Sequence, residues 1–211
     1  MAQDFSNETI TPLRWNNGFE MFPMVRISTI PDGSCFFHAI LRGYFIPYLT
    51  RTLNNHKISR REIVRRLREE LAINLAKHSN PTDPYSPINY DTLSRGQMRE
   101  MAKTMPEYTL ESMQRLINSS EPVGYEILEY VMRQLNINIY LLEEAREDVY
   151  ISGDEDLYYD KERKSVVLYV QPKHYELIGL YVDGQIQTFF NDSHPFIQLI
   201  RSRIRARTLS K

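Results

Sequence analysis

Asp32-Gly33-Ser34-Cys35-Phe36-Phe37-His38-Ala39-Ile40 is the stretch on which the reading of this chain turns, and it holds the one cysteine among 211 residues. Pro31-Asp32-Gly33 breaks the run before it, Ser34 stands where a helix N-cap belongs, and a helix is predicted to start at Cys35. Phe37, Ile40, Leu41 and Tyr44 then fall at helical spacing, so that helix has an apolar face and is predicted to be buried. A lone cysteine is ordinarily a small core residue. In the first turn of a helix, however, the thiol meets unpaired N–H groups and the positive end of the helix dipole, which favour thiolate. Gly33, shortly before it, lets backbone amides crowd toward the sulfur, where an oxyanion forms during acyl transfer. An inert core cysteine needs none of these features, and a nucleophile needs them all.

Working outward, Met24–Ile30 alternates as a short strand, and Met1–Pro23 reads as a polar arm with scattered aromatics (Phe5, Trp15, Phe19, Phe22) packed on the domain. Downstream, Ile63, Leu67, Leu71 and Leu75 recur every four residues within Ser59–His78, a helix that also carries Arg60, Arg61, Arg65, Arg66 and Arg68. Glu62, Glu69 and Glu70 are interleaved with them, which favours a solvated face laced with ion pairs over a phosphate-binding one. Asn80–Pro87 holds three prolines and reads as a loop, followed by helical patterns at about 94–104, 107–118 and 124–136. After Asn136 the period becomes that of strands: Ile137–Leu142, Ser165–Val170, Tyr175–Val182 and Gln185–Phe190, with Asp183-Gly184 as a hairpin signal between the last two. An acidic connection, Glu143–Asp160, joins the first two strands. Pro195–Lys211 is a short basic helix with Ile197, Ile200 and Ile204 on one side. The predicted class is α+β, helices first and a mostly antiparallel sheet after, divided into an arm (1–23), a catalytic domain (24–190) and a basic tail (191–211).

Composition narrows the function classes. Hydrophobic residues at 42% and charged residues at 25% are ordinary for a globular domain, and 26 Lys+Arg against 27 Asp+Glu leave a net charge of −1, so bulk charge does not advertise nucleic acid or membrane. One cysteine makes neither an intramolecular disulfide nor a Cys-rich zinc site. No apolar stretch approaches a membrane span, and Met1–Asn7 lacks the order of a signal peptide, so a reducing, cytoplasmic compartment is expected.

A thiolate nucleophile wants a histidine, and there are five: His38, His56, His78, His174 and His194. His38 shares the apolar surroundings of the Cys35 helix and reads as structural; His56 and His78 look like surface residues. His174 follows a Gln171-Pro172-Lys173 turn at the start of a predicted strand, where alternation puts it on one face with Glu176. That pairs a base with an orienting acid, the arrangement that completes a Cys-His-acid triad.

Together, the Asp-Gly-Ser-Cys-Phe-Phe-His-Ala run and the late His-Tyr-Glu resemble the two signatures of the ovarian tumour (OTU) family of cysteine proteases, and Val123–Leu128 through Leu135–Tyr140 is similar to its middle segment. The resemblance spans about Met24 to Tyr181. It implies a papain-like OTU fold and a deubiquitinase that cleaves isopeptide bonds after the C-terminal glycine of ubiquitin, or of a ubiquitin-like modifier. It makes Cys35 the nucleophile and His174 the general base. The amides around Asp32, Gly33 and Cys35 would form the oxyanion hole, with Asp32 shaping that loop. The family's third member is usually Asp or Asn; here the matching residue is Glu176, and the alternatives are Asn191, Asp192 or Trp15-Asn16-Asn17. No cofactor or metal is implied. The expected partners are ubiquitin, polyubiquitin chains and ubiquitinated proteins, with the chain a monomer. An OTU-like module that holds ubiquitin without cutting it, or another Cys-His acyl-transfer enzyme, are the competing classes. The tail's Arg201, Arg203, Arg205, Arg207 and Lys211 pose a separate choice between contact with nucleic acid or membrane and a helix docked through its isoleucines, the second favoured. A bare signature of this kind also resembles OTU proteases of viruses and intracellular bacteria, for which the compartment would be a host cytoplasm.

Overall fold

The late strands are buried on both faces, and the rest of the chain is arranged to cover them. In the computed structural model, residues 8–150 and 159–209 are described; Met1–Asn7, part of the Glu143–Asp160 connection and Lys211 lie outside them. The strands are β1 (Ile10–Pro12), β2 (Met24–Ile27), the small β3 (Thr52–Leu53) and β4 (His56–Lys57), β5 (Asn138–Glu143), β6 (Asp148–Val149), β7 (Ser165–Gln171), β8 (His174–Val182) and β9 (Gln185–Gln187). The helices are α1 (Cys35–Tyr44), α2 (Ile46–Thr50), α3 (Arg60–Leu75), α4 (Asn89–Thr92), α5 (Gln97–Met101), α6 (Leu110–Asn118), α7 (Leu128–Leu135) and α8 (Pro195–Leu209). The main sheet runs β1-β2-β8-β7-β5-β6, with β9 on β8. Only β5 and β7 pair in parallel, from Asn138↔Ser165 to Glu143↔Val170, so the sheet is mostly antiparallel.

Alternation divides each strand between two cores. Ile139, Leu141, Val166, Leu168 and Leu177 face α1, with Val64 and Leu71 of α3, Ile117 of α6 and Val131 of α7 in the same cluster. Tyr140, Leu142, Val167, Ile178 and Leu180 face the other way, onto Trp15 and Phe19 of the arm and Phe196, Ile197, Ile200 and Ile204 of α8. α1 lies close on the sheet because Gly43 has no side chain: a Cβ there would come within 2.7 Å of Val166 Cγ1.

Local signals explain most boundaries. Ser59 caps α3 by accepting the Glu62 N–H at 3.1 Å, and Thr109 caps α6 through the Ser112 N–H. Asp183 and Gly184 both have positive φ (50° and 77°), the geometry of the tight hairpin turn between β8 and β9. Other boundaries differ from the sequence reading. The strand expected over 24–30 ends at Ile27, and β9 ends at Gln187, with Phe190 bridging to Ser165 instead. The single helix expected over 94–104 is broken by left-handed backbone at Ser94 and Arg95 (φ 49° and 55°), where the buried Glu129 carboxylate of α7 accepts the Ser94 N–H at 2.8 Å. A tertiary carboxylate outcompetes the local helical bond there. The helix expected from 107 starts at Leu110, and the 124–136 pattern opens with a 3-10 turn at Tyr125–Ile127.

The arm and the basic helix are engaged with the domain. β1 pairs with β2, and the buried Glu8 carboxylate binds Arg42 at 2.7 Å and Arg60 at 2.9 Å. In α8 the isoleucines are buried while Arg203 makes a bidentate pair with Asp148 (2.7 and 2.6 Å) and Arg201 binds Asp192 at 2.6 Å. The docked reading of the tail is the one the packing follows. On α3, Glu62 binds Arg65 and Arg66, each at 2.7 Å, and these pairs hold its carboxyl down to about 2, as a solvated, ion-paired face requires.

Candidate active site

The loop before α1 is held from several sides at once. Asp32 accepts the Ser34 N–H on one carboxylate oxygen (3.1 Å), while the other faces His38 Nε2 and Arg61 Nε, each at 3.2 Å. Gly33 has φ +78°, and a Cβ there would lie 2.0 Å from the Ser120 carbonyl oxygen, so only glycine fits under the 119–122 segment. Ser34 occupies the N-cap position but its side chain caps nothing; its hydroxyl instead accepts from Arg68 at 2.7 Å. His38 is fully buried, with Nδ1 2.8 Å from the Tyr48 hydroxyl. Burial lowers its pKa, so the neutral ring donates from Nε2 to Asp32 and accepts from Tyr48 at Nδ1. His38 is therefore an internal strut.

Cys35 opens α1, only 3% exposed, and the N–H groups of Tyr175, Phe36 and Cys35 itself are directed at its sulfur. The sequence favours thiolate here. In the structure, burial outweighs those amides and pushes the thiol up, with the Asp32 charge adding to the effect.

Tyr175 links the two motifs. Its ring packs edge-on against Phe36 at 5.2 Å, its N–H addresses the Cys35 sulfur, and its carbonyl accepts from Thr29 Oγ1 at 2.6 Å. His174, the preceding residue, thus starts β8 beside the thiol, after a turn in which Lys173 has φ 62°. No hydrogen bond joins the imidazole to the sulfur among the described residues. His174 Nε2 lies 3.9 Å from Glu176 Oε1, beyond hydrogen-bond range, and Glu176 Oε2 lies 3.6 Å from Arg26 Nε. Arg26 in turn stacks over the Tyr169 ring at 5.4 Å, and Trp15 packs on the same ring at 5.9 Å.

This geometry sorts the acids that the sequence left open. Phe190 pairs with Ser165 at the start of β7, whereas His174 pairs with Gln171 at its end, so Asn191 and Asp192 are about 20 Å of strand away. Asp192 is bound to Arg201 there. Trp15 is buried behind Tyr169, and Asn16 and Asn17 are exposed in the turn that follows it. Of these side chains, Glu176 lies 3.9 Å from His174. The oxyanion expectation also changes, because the Asp32 N–H is already donated to the Ile30 carbonyl at 3.0 Å. Asp32 contributes its carboxylate to the loop.

Clefts flank the loop. One of about 390 Å³ is lined by Val123, Gly124, Tyr125, Pro172, Lys173 and Tyr175, and the Tyr125 ring within it stacks on Tyr150 at 3.9 Å. The other, about 530 Å³, is lined by Asp32, Ser34, Arg61, Arg65, Ser119 and Ser120. Residues 118–125 thus line both sides of the Cys35 loop. Sequence reasoning singled out Val123–Leu128 only through the resemblance and missed residues 118–122, which carry no chemical signature, and it missed the burial of Arg68. A signal for Arg68 existed: Val64, Arg68, Leu71 and Leu75 share one buried stripe of α3. Among the described residues, no group of three or more His, Cys, Asp or Glu side chains is arranged to hold a metal ion, and no helix is long and apolar enough to cross a membrane.

The fold thus brings a cysteine at the N-terminus of a helix buried against the sheet near a strand that starts with a histidine. The fold is of the OTU type. Among solved structures, the chain is similar to an ovarian tumor (OTU) domain determined in complex with ubiquitin, with a TM-score of 0.56 and 14% sequence identity over 93% of this chain and 89% of that one. No family model matches the sequence, and no curated protein matches it.

Proposed function

We propose that this chain is a cysteine-dependent deubiquitinase, hydrolysing the isopeptide bond after the C-terminal glycine of ubiquitin or a ubiquitin-like modifier. The observation that carries the reading is Cys35 at the start of a buried helix, with its sulfur against the Tyr175 amide and His174 as the next residue, on an OTU-type fold. His174 takes the thiol proton as the sulfur attacks the glycine carbonyl. Gly33 and Cys35 N–H groups face the oxyanion of the tetrahedral intermediate. The intermediate collapses to a thioester, and the leaving lysine amine takes the proton from His174. Water, deprotonated by the same imidazole, then hydrolyses the thioester and restores the thiol. The cytoplasm and ubiquitinated proteins follow as setting and substrates.

The test is intact-mass analysis after mixing the protein with ubiquitin carrying a C-terminal electrophile, wild type beside Cys35→Ala. A one-to-one adduct on wild type alone is expected, and with a single cysteine its site is unambiguous. A second reading, a ubiquitin-binding module without turnover, draws on the missing hydrogen bond between His174 and Glu176 at 3.9 Å. It predicts ubiquitin binding with no adduct. Absence of both adduct and binding for ubiquitin and ubiquitin-like probes would leave a different Cys-His acyl transfer.

A further inference from the structure

Arg68 is only 2% exposed, and the chemistry above does not use it. Its Nε donates to the Ile117 carbonyl at 2.8 Å, one terminal nitrogen to the Ser34 hydroxyl at 2.7 Å, and the other to the Leu116 and Glu121 carbonyls at 3.0 and 2.9 Å. The guanidinium also lies over the Phe37 ring at 4.9 Å. All its hydrogen-bond acceptors are neutral, so a full positive charge is held in the interior without a carboxylate in contact. Such a charge is costly to bury, and its presence asks for an anion that it serves. The negative charges that oppose its desolvation are those of Asp32, of Cys35 once it ionises, and of Glu121. Two of these belong to the nucleophile loop. Ser34, between Gly33 and Cys35, is held through its amide by Asp32 and through its hydroxyl by Arg68.

We infer that Arg68 is a positioning residue for Cys35: it clamps the Asp32–Cys35 turn to the 116–121 segment and provides the fixed positive charge that a thiolate at Cys35 requires. The inference rests on Cys35 being a nucleophile, yet its test needs no ubiquitin. When the proton leaves the sulfur, burial opposes the new charge, and the amides directed at it are already in place. The buried guanidinium is the remaining source of stabilisation that does not have to reorganise.

Since Cys35 is the sole cysteine, the pH dependence of iodoacetamide alkylation reports on it alone. The comparison is Arg68→Gln, which keeps donors but loses charge, against Arg68→Lys, which keeps charge but loses the planar fork. Arg68→Gln is expected to move the alkylation midpoint up by about one pH unit relative to wild type, slowing modification at neutral pH about tenfold, with Arg68→Lys near wild type. Equal midpoints in folded Gln and Lys variants would overturn the inference. A second measurement leaves Arg68 intact: thermal unfolding of Cys35→Asp beside Cys35→Asn. A site built around Arg68 accepts the carboxylate, so the Asp variant is expected to melt no lower than the Asn variant at neutral pH. A lower melting temperature for Cys35→Asp would sink the proposal whether or not the Arg68 variants fold. Failure of the ubiquitin probe with both of these results as expected would reject the deubiquitinase reading and leave Arg68's role standing.

Discussion

The two halves of the site are built to different standards. On the α1 side, Asp32 is bound by Arg61 at 3.2 Å, Ser34 by Arg68 at 2.7 Å and His38 by Tyr48 at 2.8 Å, while Gly33 sits where a Cβ would meet the Ser120 carbonyl. On the β8 side, His174 and Glu176 stand 3.9 Å apart, Glu176 is 3.6 Å from Arg26, and its Oε2 is buried without a hydrogen bond. Cys35 is positioned by the fold itself, whereas His174 and Glu176 retain slack. Catalytic hydrogen bonds commonly tighten only in the substrate complex.

The sharpest way to break this contrast is to remove each reacting group. Cys35→Ala and His174→Ala are each expected to reduce hydrolysis of a ubiquitin conjugate by at least about a thousandfold, measured as turnover under saturating substrate. Equal retention of activity in both would dissolve the site. Next comes Gly33→Ala, which forces a Cβ against the Ser120 carbonyl at a positive φ. Displacing the loop by an ångström should lower kcat about a hundredfold, with a loss of about 1–3 kcal/mol in stability by denaturant titration. Glu176→Ala touches the slack side and should reduce kcat only about ten- to a hundredfold, because the orienting acid is lost while the nucleophile and base remain. A loss as deep as that of His174→Ala would mean that the two close into a tight pair on substrate.

The smallest effect expected is on stability against pH. His38 is buried with its pKa lowered below the unfolded value, so the unfolded chain takes up a proton that the folded one refuses. Its contribution is complete above about pH 6.5 and declines as pH falls from there toward the lower folded pKa. The melting temperature should therefore drop between neutral pH and mild acid, and His38→Gln should flatten that part of the curve. An unchanged slope in His38→Gln would assign the acid sensitivity to other groups.

Much of the architecture was legible because it rests on local rules. The recurrence of Ile63, Leu67, Leu71 and Leu75 announced α3, Asp183-Gly184 announced the β8–β9 hairpin, and the isoleucines of α8 announced a docked face. Cys35 and His174 were legible for the same reason, since each sits at the start of an element whose beginning is marked by its neighbours. The break at Ser94 was not, because its cause is Glu129, 35 residues later. Nor was Arg68, which counting arginines placed on a solvated face while the stripe it occupies put it inside.

Local patterns were enough for the main elements, their order and the chemical types near α1 and β8: a thiol at a helix start, an imidazole at a strand start and an acid two residues on. The tertiary structure decided what those groups experience. It set β8 beside α1 so that the Tyr175 amide meets the sulfur, buried the thiol until desolvation outweighed the helix amides, and took the Asp32 amide for the Ile30 carbonyl. It also left Asp192 at the far end of the sheet. Local propensity follows from neighbours in the chain, but burial, charge and reach depend on which distant segments pack together, and those are fixed only when the two cores close on the sheet.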